Sequence, residues 1–91
     1  MKAFGIWLNT RLKKHNIKKI HLARSIGVNE STVHRWLSGN CNPNVLQWNG
    51  IAYFLALETN ASLEDIFVEM SFAIMIYYKL SKIVWNSLTS N

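Results

Sequence analysis

The stretch that most constrains the fold of this chain is Lys19–Gly39, KIHLARSIGVNESTVHRWLSG, which has the pattern of two short helices around a tight turn. Apolar residues recur at helical spacing on both sides of that turn. They are Leu22, Ala23 and Ile26 before it, and Val33, Trp36 and Leu37 after it. Gly27 lies between them, where a sharp turn often needs a positive φ and a Cβ would be costly. Asn29 follows, and we predict that its side chain N-caps the second helix.

The outer side of the second helix keeps polar residues that the fold itself does not need. They are Ser31, His34, Arg35 and Ser38. A short helix that buries one side and offers hydrogen-bonding groups on the other is suited to the major groove of DNA.

These residues resemble the helix-turn-helix of the Cro/repressor family of phage and bacterial transcription regulators, of the xenobiotic-response-element type. The resemblance is carried by Leu22-Ala23, Ile26-Gly27-Val28, Ser31-Thr32-Val33, Arg35-Trp36 and Gly39. It implies an all-α, five-helix repressor-like DNA-binding domain, which we place at residues 1–70. Residues 71–91 lie outside the resemblance and form a separate C-terminal extension.

The resemblance also implies which side chains meet DNA. The expected base-reading residues are Glu30, Ser31, His34 and Arg35. The expected contacts to the DNA backbone are Lys18, Lys19, Ser38, Asn40 and Asn42. In the family a glutamine commonly occupies the position of Lys19; a lysine keeps a phosphate contact but removes an amide that could brace a base-reading neighbour.

The base-reading roles have simpler alternatives. The guanidinium of Arg35 can bond guanine O6 and N7 together, or it can bond Ser31 or reach only a phosphate. Glu30 can accept a bond from cytosine N4, or it can be there because a carboxylate suits a helix N-terminus. His34 can donate to a base or phosphate, or remain a solvated side chain.

The loop that follows, residues 38–44, contains no Lys or Arg. Its contacts to DNA would come from Asn side chains and from amide N–H groups. Binding through it would therefore depend less on salt than binding through a basic loop.

The charge of the chain is unevenly distributed. The formal net charge is +5, and residues 1–40 hold eight Lys and Arg against one acid, whereas residues 41–91 hold two against four acids. Basic charge is thus concentrated around the two-helix stretch, which favours a polyanionic partner for that half. A solvated basic surface is the alternative explanation.

The remaining chemistry of the sequence argues against several classes of protein. Cys41 is the only cysteine, so an intramolecular disulfide or a thiolate metal cluster is excluded. The three histidines are too scattered to suggest a metal site. The sequence has no Gly-rich phosphate loop, nucleophile elbow or catalytic acid pair. We therefore expect no enzyme activity and no cofactor.

The apolar segments are too short to cross a bilayer. The apolar run at residues 72–78 has only seven residues, whereas a spanning helix needs about twenty. The N-terminus does not resemble a signal peptide, because Asn9, Thr10 and Arg11 interrupt its apolar run. We expect a cytoplasmic protein that is associated with the nucleoid through DNA binding and does not bind a membrane.

Three further helices are predicted around the central pair. Ala3–His15 should bury Phe4, Trp7, Leu8 and Leu12 and turn Arg11, Lys13 and Lys14 toward water or phosphate, with Asn16 as a left-handed stop. Helix four should bury Val45, Trp48, Ile51, Ala52 and Leu55 and end near Glu58. Helix five should begin at a capping box, Ser62-Leu63-Glu64-Asp65, and bury Leu63, Ile66, Phe67 and Met70.

The extension, residues 71–91, is apolar on two sides when it is drawn as a helix. One seam contains Met70, Ala73, Tyr77, Leu80 and Val84, and the other contains Phe72, Ile76 and Ile83. Both sides need cover, so we predict a homodimer. The expected dimerisation residues are Phe72, Ile76, Tyr77, Leu80, Ile83, Val84 and Trp85. An exchanged β-strand is the alternative, since the run FAIMIYY is rich in β-branched and aromatic residues.

The sequence therefore predicts a sequence-specific, double-stranded DNA-binding transcriptional regulator, a dimeric repressor of phage or prophage type. The alternative is an antitoxin-like or inhibitor module that binds a protein partner through the C-terminal apolar segment, with DNA binding secondary.

Overall fold

In the computed structural model, residues 2–75 are described, and every regular element among them is an α-helix. The elements are α1 (Lys2–Lys14), α2 (Lys19–Ile26), α3 (Glu30–Ser38) and α4 (Val45–Thr59). A fifth helix, α5, begins at residue 63 and is described to residue 75. The all-α prediction is confirmed for this part of the chain.

Left-handed residues close the helices where the sequence predicts them. Gly27 has φ +75° and its N–H donates to the carbonyl of Ala23, and the N–H of Val28 donates to the same carbonyl at 2.9 Å. Asn16 has φ +56°, as predicted for a stop after α1. A second left-handed asparagine, Asn60, ends α4. These turns fix the directions in which the helices leave one another.

The helix N-termini differ from the prediction. Asn29 occupies the N-cap position of α3, but its side chain makes no cap hydrogen bond, so that part of the prediction is wrong. The full capping box is at α4, where Gln47 N donates to Asn44 Oδ1 at 2.8 Å and Asn44 N donates to Gln47 Oε1 at 3.0 Å. At α5 the amide of Asp65 donates to Ser62 Oγ at 3.0 Å, which confirms the Ser62 half of the predicted box.

The core draws at least two residues from every helix. Its fully or nearly buried members are Phe4, Leu8, Leu12, Leu22, Ala23, Val33, Trp36, Ile51, Ala52, Phe54, Leu55, Ile66, Met70 and Ala73. Trp7, Trp48, Leu63 and Phe67 are partly buried against it. The predicted inward sides of α1, α2, α3 and α5 are confirmed. Val45 was predicted inward and is 78% exposed, because it is the first residue of α4 and lies beyond the buried side of that helix.

Arg11 does not face water or phosphate as predicted. Its guanidinium forms an ion pair with the carboxylate of Glu69 in α5, and the two side chains are 18% and 39% exposed. This pair joins the first and fifth helices across 58 residues of sequence.

The extension is described only over its first turns. Residues 71–75 are helical, which agrees with the helical alternative and not with a strand over that stretch. Phe72 is exposed and Ala73 is buried, so the two predicted seams do face opposite ways there. Six of the predicted dimerisation residues lie outside the described residues: Ile76, Tyr77, Leu80, Ile83, Val84 and Trp85.

Candidate nucleic-acid interface

The outer side of α3 is a continuous polar surface. Glu30, Ser31, His34, Arg35 and Ser38 are all exposed, while Val33 and Trp36 on the other side of the same helix are fully buried. This arrangement follows from the helical spacing of the apolar residues. It leaves all four predicted base-reading side chains accessible on one helix of nine residues.

The last turn of α3 packs closely against α1. At Gly5, the position where a Cβ would stand is 2.5 Å from the Leu37 carbonyl oxygen and 2.6 Å from that of Trp36. Only a residue without a side chain lets α1 approach the last turn of α3 so closely. Gly5 was not singled out in the sequence, because nothing local marks a contact between residues 32 positions apart.

Arg35 is free to reach a partner. Within residues 2–75 no hydrogen bond or ion pair engages its guanidinium, so the alternative bond to Ser31 is not formed. Ser38 instead directs its hydroxyl to the backbone carbonyl of Arg35 at 3.1 Å. The hydroxyl oxygen can still accept a bond, and the arginine side chain keeps all its donors.

Glu30 and His34 lie one turn apart and form a loose pair. Glu30 Oε1 is 3.9 Å from His34 Nε2, and both side chains are about half exposed. The pair places an acceptor and a donor side by side in the first two turns of α3. Glu30 also stands in the first turn, where a carboxylate is favoured by the helix dipole, so both explanations of this residue fit.

The basic residues at the start of α2 lie beside the start of α3. A shallow depression of about 470 Å³ is bordered by Lys13, Lys18 and Lys19 and also by Glu30. Lys18 is the N-cap residue of α2 and supplies no side-chain cap. The structure therefore brings together the predicted backbone-binding lysines and one end of the predicted base-reading surface. Lys13 joins them through the packing of α1.

The loop after α3 offers fewer hydrogen-bond donors for DNA phosphates than predicted. The amides of Gly39, Asn40 and Cys41 donate to the carbonyls of Trp36 and Arg35, at 3.2 Å for Gly39, 3.0 Å for Asn40 and 3.4 Å for Cys41. Those N–H groups close the end of α3 and are not available to phosphates. Asn40 and Asn42 are exposed, so the side chains predicted to contact the DNA backbone from this loop do lie at its surface.

Metal-binding and membrane-spanning features were also sought in residues 2–75. No cluster of three or more His, Cys, Asp or Glu in that range could hold a metal ion. No helix in that range is both long and apolar enough to cross a bilayer.

Comparison with known proteins found no matching family model, curated protein or solved structure. The assignment of a function therefore depends on the geometry of the chain itself.

Proposed function

We propose that this protein is a helix-turn-helix regulator that binds double-stranded DNA sequence-specifically, with α3 as the recognition helix and a repressor as the expected biological form. The observation that carries the proposal is the outer side of α3. It is fully polar and exposed, and it lies beside lysines in a half of the chain that holds eight basic residues against one acid. Its size and shape suit a major groove.

We assign the roles of the residues on the basis of their placement. Ser31, His34 and Arg35 reach base edges from the middle of α3, with Glu30 at its entrance. Lys18, Lys19 and Lys13 neutralise phosphates on one side of the helix. Ser38, Asn40 and Asn42 contact the DNA backbone on the other side of α3. Phosphate contacts set the position of the protein on the duplex, and the α3 side chains supply the sequence preference.

The dimeric form of the proposal gives it a geometric consequence. Two copies of α3 would enter successive major grooves on one side of DNA, with half-sites about 34–36 Å apart. Residues of the extension, beginning with the exposed Phe72, are proposed to contribute to self-association.

Selection from a pool of random duplexes, repeated at two salt concentrations, tests the proposal. The expected result is an enriched site with two-fold symmetry whose binding weakens as salt rises. Recovery of unenriched sequence at both salt concentrations would reject sequence-specific binding.

A second candidate is a protein-interaction module of antitoxin or inhibitor type. It is favoured by an apolar groove of about 430 Å³ between α1 and α5, where Ile6 and Phe72 are both exposed beside Trp7. Light scattering separates the two. A homodimer that purifies without another protein supports the regulator, and a monomer that precipitates without a partner supports the interaction module.

A further inference from the structure

Helix α4 is apolar on the side that faces the core and also on the side that faces solvent. Among its fifteen residues only Glu58 is charged. Ile51, Ala52 and Leu55 are fully buried, yet large apolar side chains also stand on the opposite side of the helix. A helix that is apolar all round normally has its second side covered as well.

The exposed apolar side has a regular pattern. It consists of Leu46, Gly50, Tyr53 and Leu57, which we call the α4 stripe. Leu46 is 82% exposed, Tyr53 is 58% exposed and Leu57 is 83% exposed. The steps of four, three and four residues are those of a helix–helix seam.

A groove runs along the α4 stripe. Its volume is about 630 Å³, and its other wall is formed by Ile26, Gly27 and Val28 at the turn after α2. Polar residues, Asn44, Gln47 and Glu58, stand at its ends. An apolar centre with a polar rim is the arrangement of protein–protein interfaces.

We propose that the α4 stripe is an interface between two copies of this chain, packed with their α4 helices antiparallel about a two-fold axis. A two-fold interface requires that whenever residue i meets residue j, residue j also meets residue i. The α4 stripe satisfies this requirement because its positions are symmetric about the point between residues 51 and 52. Leu46 then meets the partner's Leu57, and Tyr53 meets the partner's Gly50.

The side chains at these paired positions are complementary in size. Leucine packs against leucine at both ends of the α4 stripe. In the middle, the ring of Tyr53 meets Gly50, where a Cβ would stand 3.2 Å from Cγ2 of Ile26 in the same chain, so the ring packs on a surface that Gly50 and Ile26 form together. A parallel arrangement would place Tyr53 against the partner's Tyr53 and Gly50 against the partner's Gly50, leaving a gap beside a crowded contact.

The charges also suit the antiparallel arrangement. Glu58 lies in the last turn of α4, where a carboxylate opposes the dipole of its own helix, and no basic residue stands in that turn. In the dimer the carboxylate would lie beside the N-terminus of the partner's α4, which favours negative charge. His21, whose Nε2 is 3.6 Å from Glu58 Oε1, is on the same end. No Lys or Arg borders the groove within the described residues, so copies of this basic chain do not repel one another there.

This interface does not depend on DNA binding. It is a different surface from the predicted dimerisation residues, of which Phe72 lies on α5. Loss of DNA binding would therefore leave this interface standing, whereas a dimer held together only by the extension would contradict it.

Paired charge substitutions test the register of the interface. Leu46→Glu places an acid near the N-terminus of α4 and Leu57→Lys places a base near its C-terminus, so each suits its own helix dipole and should fold. Each single variant of the full chain should raise the dimer dissociation constant at least tenfold in sedimentation equilibrium. The double variant should recover most of that loss, since each new glutamate meets a lysine of the partner.

Thr10→Glu is the matched control, because it adds the same charge at an exposed position of α1, away from both the α4 groove and the extension, and should leave the dissociation constant unchanged. Circular dichroism melts show whether every variant folds. A monomeric wild type, single variants that dimerise normally, or a double variant weaker than both singles would each overturn the proposal. A dimer that only Phe72→Glu dissociates would place the contact on the extension and overturn it as well.

Cysteine cross-linking tests the direction of the helices independently. In a Cys41→Ser background, the combination of Leu46→Cys and Leu57→Cys should form a disulfide-linked dimer under mild oxidation. Either cysteine alone should remain largely unlinked, because in the antiparallel pair each one faces a leucine of the partner. Efficient linkage by a single variant, or none by the double variant, would contradict the proposed packing.

Discussion

A Cβ on Gly5 would lie 2.5 Å from the backbone carbonyl oxygen of Leu37, so α1 touches the last turn of α3 at a point where no side chain fits. The carbonyl oxygen of Trp36 is 2.6 Å from that position. The end of α3 is thereby held by backbone packing, while its outer side carries only exposed polar groups. The close approach of α1 thereby sets the position of the end of α3 relative to the first helix.

Gly5→Ala should destabilise the fold. The added methyl meets two backbone atoms that cannot rotate away, and overpacking of this kind costs about 1–3 kcal/mol. The better helix propensity of alanine offsets about 1 kcal/mol of that cost, so the net loss should be about 0–2 kcal/mol, toward the upper end because both contacts are below 3 Å. Urea denaturation at fixed protein concentration measures the free energy of unfolding.

Thr10→Ala is the matched control on the same helix. Thr10 is exposed and its hydroxyl donates to the carbonyl of Ile6 at 2.8 Å, within α1 itself. An exposed change of this kind should stay within about 0.5 kcal/mol of wild type. Equal effects of the two alanines would show that the contact at Leu37 does not limit the approach of α1.

The two asparagine N-caps offer a second comparison. Asn44 accepts a bond from the Gln47 amide, whereas Asn29 occupies the same position at α3 without a side-chain bond. Asn44→Ala should therefore lower the free energy of unfolding by about 0.5–2 kcal/mol. Asn29→Ala should change it by only a few tenths of a kcal/mol, because no cap bond is lost. Equal losses in thermal unfolding would mean that Asn29 caps α3 in solution.

The ion pair of Arg11 with Glu69 has consequences for stability and for the proposed DNA binding. Glu69 is 39% exposed, so solvent screens the pair, and a double-mutant cycle with Arg11→Met and Glu69→Gln should give a coupling of about 0.5–1 kcal/mol.

Because the guanidinium of Arg11 is paired with Glu69, Arg11→Met should leave the salt dependence of DNA binding unchanged. Lys18→Ala should reduce the slope of log K against log salt by about one unit. If Arg11→Met reduced the slope of log K against log salt, Arg11 would have to be a phosphate contact after all.

Much of the helical arrangement could be predicted because it depends on local signals. The residue types of Gly27 and Asn16 indicate left-handed turns. The helical spacing of Leu22, Val33 and Trp36 indicates the buried sides of their helices. The contact at Gly5 and the Arg11–Glu69 pair could not be predicted, because each joins residues far apart in sequence and neither has a local signature.

The exposure of α4 shows a different limit of sequence patterns. Periodicity identifies a buried side only when the other side is polar, and α4 is apolar on both. The exposed Leu46 and Leu57 were for that reason not anticipated. Val45 has the spacing of the buried side but lies in solvent, because it is the first residue of α4. At the candidate site, the helical spacing predicted which side chains of α3 are exposed. It did not predict that the amides of Gly39 and Asn40 donate to carbonyls in the last turn of α3.

Substitutions at Arg35 and Lys19 should separate base reading from phosphate contact. Arg35→Ala should relax the sequence preference at one position and cost about 1–3 kcal/mol on the selected site. Lys19→Ala should weaken binding to all duplexes similarly, since a phosphate contact carries no sequence information. Fluorescence anisotropy with the selected duplex and a scrambled one measures both effects. An unchanged preference in Arg35→Ala would remove that residue from the base-reading set.

The most direct test of the account is the footprint of a selected duplex on the protein, measured by NMR as the shift of each assigned backbone amide on titration. We expect the largest changes at Ser31, His34 and Arg35, smaller ones at Lys18 and Lys19, and little change along α5. A duplex that shifts no amide of α3, or that shifts another surface and leaves α3 unaffected, would contradict the claim that this helix meets DNA.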